Sequence, residues 1–366
     1  MGACAMAFRS GMQKGLIHTG SSPGQESLIS LGEVSYSVPH STQRAAPWPD
    51  LFIMKHLFTI SLVFIGILWS NAVFSVVGTI NIDVNRTARV AVVTGGNKGV
   101  GFATVKGLCQ RFNGIVYLTA RSVARGQAAA EKLRKIGFQP RFHQLDITDD
   151  SSINAFKTYL NDTHGGLDIL INNAGISFKK NATEPFPVQA SETVRVNYFG
   201  LLRVSKALFP LLRPHARVVH VSSAFGRLPL IPGNEIRARF SNSELTEEGL
   251  NQIMRDFVEA TKRNNYQASG WPDNPYMVSK VGVSALTGIQ QKAFNANAKE
   301  DLVVNAVHPG YVNTDLTDHM GTFTPERGSQ SSLYAALLPQ NTEIKGKYIW
   351  HDNTLVDWAN GPRPAA

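Results

Sequence analysis

Cysteine is nearly absent: Cys4 and Cys109 are the only two in 366 residues. That excludes a disulfide framework and a thiolate metal site. The ten histidines show no ligand spacing, so no metal is expected. Basic runs interleaved with aromatics are also missing. The net charge of +9 is scattered along the chain, and no nucleic-acid partner is expected. A protein that binds a small polyanion fits this charge better.

Charge of either sign is missing from Leu57 to Ile80, 24 residues that are long enough to cross a ~30 Å hydrocarbon layer as a helix. Residues 57–80 therefore read as a membrane anchor. The other reading is a cleaved signal peptide starting at Met54, with Leu57 to Trp69 as its apolar part and Ser70-Asn71-Ala72 as the cleavage site. Residues 1–53, rich in Gly, Ser and Pro and without periodicity, read as a disordered tail or as sequence upstream of a start at Met54. The sequons at Asn85, Asn161 and Asn181 occur about as often as chance allows and carry no weight.

What remains, residues 86–366, is about the size of one α/β domain. Short apolar runs alternate there with amphipathic stretches of helix length, the pattern of βαβ units. In "ARVAVVTGGNKGVG" a strand over Ala88–Val93 leads into Thr94-Gly95-Gly96-Asn97-Lys98-Gly99-Val100-Gly101 and then a helix. Glycines let such a turn approach a ligand while the helix start offers free N–H groups to a pyrophosphate.

The second strand, "GIVYLTARS", ends on Arg121 where an NAD-selecting protein carries an acidic residue. Arg121, with Lys98 in reach of the same phosphate, predicts NADPH/NADP+. The third strand ends near Asp146 and Ile147, with Asp146 placed to accept from the adenine amine. The fourth, "LDILINNAGIS", ends on Asn172-Asn173-Ala174-Gly175, whose small residues leave room for a cofactor and whose amides can tie strands together.

TGGNKGVG, NNAG, VSS, YMVSK and HPGYVNTD, in this order, resemble the short-chain dehydrogenase/reductase superfamily, and within it the NADPH-dependent carbonyl reductase group. The similarity spans about Arg86 to Trp358. It implies a Rossmann-like, doubly wound parallel sheet flanked by helices, in a single catalytic domain. It also implies a tetrad of Asn197, Ser223, Tyr276 and Lys280, with Asn197 bending its helix and holding a water.

Tyr276 then gives the proton to a carbonyl receiving hydride, Ser223 orients the oxygen, and Lys280, one turn on, acts by charge and binds the nicotinamide ribose. Bringing a phenol from ~10 to ~7 requires about 4 kcal/mol, which Lys280 and the oxidised cofactor are expected to supply. Pro309, Gly310, Val312 and Thr314 are expected to close over the nicotinamide, alongside Gly175.

Ser223 and Tyr276 are 53 positions apart, because an insertion of about 227–272 separates them. Within it Leu250, Ile253, Met254, Phe257 and Val258 recur at helical spacing after a cap-like Ser or Asn. The resemblance implies that this helix covers the face relatives use to associate, so a monomer is expected. Ala224, Phe225, Tyr311 and Leu316, with Ser223, make an apolar cleft suited to quinones, aldehydes and hydrophobic ketones. Val307-His308 replaces a Cys pair frequent in the group, which removes a thiol from that cleft. His220 stands where the family has Asn and reads as a structural variation.

A membrane-bound retinol or steroid dehydrogenase of the same superfamily is the alternative enzyme, and a non-catalytic NADPH-binding protein the alternative of another class. For location, the anchor with a cytosolic catalytic domain is expected. A wholly cytosolic protein, or the secretory pathway if residues 54–72 are cleaved, are the alternatives.

Overall fold

Val90–Val93 forms the first strand, β1, and all four of its side chains are buried. A strand buried on both faces needs a helical layer on each. Ala91 and Val93 pack with Val105 and Leu108 on one side, while Val90 and Val92 pack with Ile153 and Phe156 on the other. The structure, a computed structural model, describes residues 88–296, 300–362 and 364. The readings for residues 1–53 and 54–80 lie outside the described residues. Among the described residues no helix is long and apolar enough to cross a membrane.

The chain continues through α1 (Gly99–Arg111), β2 (Ile115–Ala120), α2 (Val123–Arg134), β3 (Arg141–Gln144), α3 (Asp150–His164) and β4 (Leu167–Asn172). Next come α4 (Phe186–Val194), α5 (Leu201–Leu208), β5 (Leu212–Val221), α6 (Asn234–Ser241), α7 (Glu247–Lys262) and α8 (Pro275–Asn295). The last elements are β6 (Val303–Val307), α9 (Pro325–Gly328), α10 (Gln330–Ala336), β7 (Tyr348–Ile349) and β8 (Leu355–Val356).

Strand order is β3-β2-β1-β4-β5-β6-β7-β8. Every neighbouring pair is parallel except β7 with β8. This is the expected doubly wound sheet. Its winding reverses between β1 and β4, where the carboxyl ends of the strands open a crevice for ligands.

The insertion folds as two helices. Thr246 caps α7, its side chain accepting from the Gly249 amide at 3.1 Å, so the cap is a threonine rather than the expected Ser or Asn. Leu250, Ile253, Met254 and Phe257 are buried against Val278 and Val281 of α8, as their spacing predicts, and Val258 is partly buried. The shorter α6 has no counterpart among the sequence expectations. It has only eight residues, and a single spaced pair, Ile236 and Phe240, goes into the core.

Between α8 and β6, Asp301 is buried and adopts φ +47°. Its carboxylate lies 3.0 Å from Arg217, 3.0 Å from His215 and 3.1 Å from Lys345, and it accepts from the Asn341 amide at 2.8 Å. This cluster staples the start of β6 to β5 and to the segment before β7.

Candidate active site

The β1–α1 turn is shaped by its glycines. Gly95 and Gly99 lie at φ +64° and +55°, where a side chain is strained. A Cβ on Gly101 would stand 2.4 Å from the Gly95 carbonyl oxygen and 2.4 Å from the Asn173 amide nitrogen. Lys98 precedes α1 without a side-chain cap, and the first turn holds no acidic residue. The result is a backbone concavity whose N–H groups face outward, which fits the phosphates of a dinucleotide.

The other side of that crevice is built by "NNAG". Asn173 Nδ2 donates to the Thr94 and Gly95 carbonyls at 2.9 and 3.2 Å, and Thr94 Oγ1 accepts from the Asn173 and Ala174 amides at 3.0 Å each. The amides thus tie β4 to β1 as expected. A Cβ on Gly95 would meet Ala174 at 3.0 Å, which explains the small residue there.

Arg121 is exposed just beyond β2 and carries the only charge at the end of that strand. Lys98 has a protein partner in this structure. Its ammonium sits 2.6 Å from Asp315 of the loop after β6, so it is already paired. Asp146 is held below the usual carboxylate range: burial works to raise it, but hydrogen bonds from the Thr148 amide and hydroxyl outweigh burial, with Arg121 assisting. Ile147 packs its side chain towards Gly200 and Val312 packs against Gly328, so both can face a ligand only through the main chain.

The four tetrad candidates converge at the ends of β4 and β5. Asn197 lies in a π-helical segment, Arg195–Gly200, between α4 and α5. Its amide accepts from the Ile176 N–H at 2.7 Å and donates to the Ile176 carbonyl at 2.9 Å and to Ser279 at 3.1 Å. The expected bend is therefore a wide turn held to the β4 loop. Asn274 caps α8 through the Met277 amide at 2.9 Å, Pro275 opens the helix, and Tyr276 and Lys280 follow on one face.

Ser223 is buried at the end of β5, its hydroxyl accepts from the Phe225 N–H at 3.2 Å, and it lies near enough to Tyr276 to pull on the phenol. Lys280 Nζ donates to the Val221 carbonyl at 2.7 Å and lies 5.5 Å from the Tyr276 ring centre. Burial pulls the Lys280 ammonium down to about 8. The expected lowering of the Tyr276 phenol calls on the oxidised cofactor as well as Lys280, and in the protein alone burial dominates. Burial pushes it up to about 12, against a smaller downward pull from Ser223. A phenol in this setting is protonated at neutral pH, the form a proton donor needs.

Phe225 stands edge-on to Tyr276, ring centres 6.3 Å apart, and is 44% exposed. Ala224 is half-buried beside it. Tyr311 and Leu316 are exposed on the loop after β6 together with Met320, which sequence reasoning missed because no periodicity marks a loop. That loop leaves β6 through Pro309 and Gly310 (φ +87°) and is pinned on two flanks, by Lys98–Asp315 and by Lys179–Asp318 at 2.7 Å. Thr314 rests on the glycine turn, 3.1 Å from where a Gly99 Cβ would be.

His220 is fully buried, paired to Asn172 at 3.2 Å and Gln290 at 2.8 Å, and burial drops it to about 4. It is a neutral core residue, as expected of a structural variation. Also missed was Tyr348, buried at the start of β7 with its hydroxyl donating to the Ser223 carbonyl. A lone Tyr in a two-residue strand leaves no sequence signal.

A family model described as short chain dehydrogenase matches residues 89–234. The chain is 44% identical over 274 residues to "Carbonyl reductase (NADPH) 3" of Rattus norvegicus, covering 74% of this chain and 99% of that protein. It is 45% identical over 271 residues to "Carbonyl reductase (NADPH) 1" of Homo sapiens, covering 74% and 98%. Among solved structures, salutaridine reductase from Papaver somniferum superposes with a TM-score of 0.65 at 30% identity, covering 71% of this chain and 99% of that one.

Proposed function

The chain belongs to the short-chain dehydrogenase/reductase family, in its carbonyl reductase group, and on that premise we propose that it reduces quinones, aldehydes and hydrophobic ketones with NADPH. The observation that carries this reading is the convergence of Ser223, Tyr276 and Lys280 on one crevice with the glycine turn. When bound, NADPH supplies the hydride. Thr94, Gly95, Asn97, Lys98, Gly99, Val100 and Gly101 would hold its phosphates, Arg121 the 2′-phosphate, and Asp146 and Ile147 the adenine end.

The chain's own residues do the rest. Tyr276 donates its phenolic proton to the developing alkoxide, and the Ser223 hydroxyl holds the same oxygen. Lys280 places a positive charge below the phenol, so the tyrosinate left behind is stabilised as it forms. Asn197 fixes the β4 loop, including Gly175, against α8. Phe225, Tyr311 and Leu316 offer apolar surface at the mouth, which favours flat hydrophobic carbonyls over sugars.

Initial rates on a panel of quinones, aromatic aldehydes, ketones, retinol and steroids, with NADPH and NADH in parallel, test the reading. Faster quinone turnover with NADPH is expected. A preference for retinol or steroids would overturn the substrate class, a preference for NADH would overturn the role of Arg121, and cofactor binding without turnover would leave only a binding protein.

Because Lys98 is engaged by Asp315, a 2′-phosphate has to compete for it. Asp315→Asn is therefore expected to lower KM for NADPH about two- to fivefold, as befits an exposed pair, while KM for NADH stays put. An unchanged NADPH KM would remove Lys98 from the phosphate site.

The face covered by α7 supports a monomer, which sedimentation would check. For the chain outside the described residues, the uncharged run 57–80 supports an anchor ahead of a domain that begins near residue 86. Protease protection in sealed vesicles reports on which side that domain lies.

A further inference from the structure

Ser223 reaches its position at the end of β5, where the backbone leaves the sheet and regular hydrogen bonding ends. The Ser223 hydroxyl accepts from the Phe225 N–H at 3.2 Å, and where that hydroxyl sits depends on how its own peptide is held. The peptide between Ser223 and Ala224 is held at both ends. Its carbonyl accepts from the Tyr348 hydroxyl and from the Gly226 amide at 2.7 Å, and its N–H donates to His308 Nδ1 at 2.9 Å. A trans peptide points these two groups in opposite directions, so the plane is gripped from two sides and cannot rotate.

His308 does more than hold one amide. The Gly310 N–H also donates to Nδ1, at 3.3 Å, so one nitrogen joins the serine loop to the Pro309–Gly310 turn. Accepting these bonds requires a lone pair on Nδ1, which puts the ring proton on Nε2. The ring itself is fixed. His308 is 7% exposed, its ring centre lies 4.3 Å from that of Trp350, and its backbone carbonyl accepts from Ser331 at 3.2 Å. Its backbone N–H donates to the Ile349 carbonyl at 2.8 Å, next to Tyr348. The clamp is therefore built on β6 and β7, elements outside the Asn-Ser-Tyr-Lys set.

We infer that His308 and Tyr348 are positioning residues that act on the reaction through the Ser223–Ala224 peptide, setting where the Ser223 hydroxyl meets the carbonyl oxygen. This rests on the reductase reading. His308→Leu removes the acceptor and leaves two N–H groups unmatched, while His308→Asn can return an oxygen close to the Nδ1 position. Tyr348→Phe removes one of the two donors at the other end and leaves the Gly226 amide.

The test is steady-state kinetics of these variants and the His308→Leu/Tyr348→Phe pair beside the unaltered protein, with thermal melting and NADPH binding as checks on folding. His308→Leu is expected to lower kcat about 10- to 100-fold, the scale of a small misplacement of a reacting group, with KM for NADPH shifted much less. His308→Asn should recover most of kcat. Tyr348→Phe should lower kcat about 3- to 10-fold, and the pair should lose less than the product of the two singles, because both act on one peptide.

If His308→Leu does not fold, His308→Asn and Tyr348→Phe still decide the matter: a near-normal kcat for Asn with a reduced kcat for Phe supports the clamp. An unchanged kcat in folded His308→Leu or in Tyr348→Phe, or an Asn variant no better than Leu, overturns it. No NADPH-dependent turnover by the unaltered protein overturns the reductase reading and the clamp with it, whereas an active protein with indifferent variants sinks the clamp alone.

Discussion

Tyr276→Phe is expected to reduce kcat at least about a thousandfold, the middle of the range for losing a general acid, while NADPH still binds within a few-fold of its normal affinity. The ring keeps its place under this change. Tyr276 lies on the first turn of α8, which is set by Pro275 and by the Asn274 cap, and neither depends on the hydroxyl. Only the hydroxyl goes, and with it the proton and the pull of Ser223 on the phenol. Stopped-flow traces should show binding of NADPH without its oxidation. A variant that retains more than about a tenth of the normal rate would move the proton source elsewhere.

The largest expected effect on stability comes from Asp301→Ala, about 3 to 5 kcal/mol, because it takes the carboxylate from the guanidinium of Arg217, whose side chain is 4% exposed and keeps only backbone carbonyls to offset its charge. Burial works against the Asp301 charge, but the Asn341 amide, His215, Lys345 and Arg217 outweigh it and hold the carboxyl well below the usual range. This fixes the sign of the pH effect. An unfolded aspartate takes up a proton near pH 4, whereas the folded one does so only at much lower pH. Stability from this group is therefore complete above about pH 5 and is lost as pH falls towards the folded value. Urea melts at pH 7 and pH 4 should show the unaltered protein losing more on acidification than Asp301→Asn. Equal slopes, or an Ala variant as stable as its parent, would contradict the cluster's role.

The parallel sheet is legible in the sequence because its central strands, such as VAVV and LDILIN, are apolar runs that end on motifs, whereas β3 (RFHQ) and the two-residue β7 and β8 carry no such signal. Ser223, Tyr276 and Lys280 are legible for a different reason: they sit in short runs, VSS and YMVSK, whose spacing is local. What escapes is whatever depends on distant residues meeting. The pairing of Lys98 with Asp315 joins positions 217 apart, and the reach of Tyr348 to the Ser223 carbonyl joins positions 125 apart. The burial that raises the Tyr276 phenol escapes on the same ground, since burial is a property of the assembled site while the nearby cation can be read from the helix. In α6 the apolar residues are too few to outweigh its polar ones, and only the packing of Ile236 and Phe240 gives the helix a reason to form.

The π-helical segment Arg195–Gly200 has a consequence for how this chain can vary. An α-helix advances about 100° per residue, and a wider turn slips the count between the residues on its N-terminal side and those on its C-terminal side. Here the slip sets the phase between α4, whose Ala190 and Val194 face one core cluster, and α5, whose Val204 and Leu208 face another. Deleting one residue between 195 and 200 would restore a regular helix, rotate α5 away from the sheet and carry the Asn197 amide off Ile176 together. Chain length at this point is therefore fixed, and so is the amide at position 197.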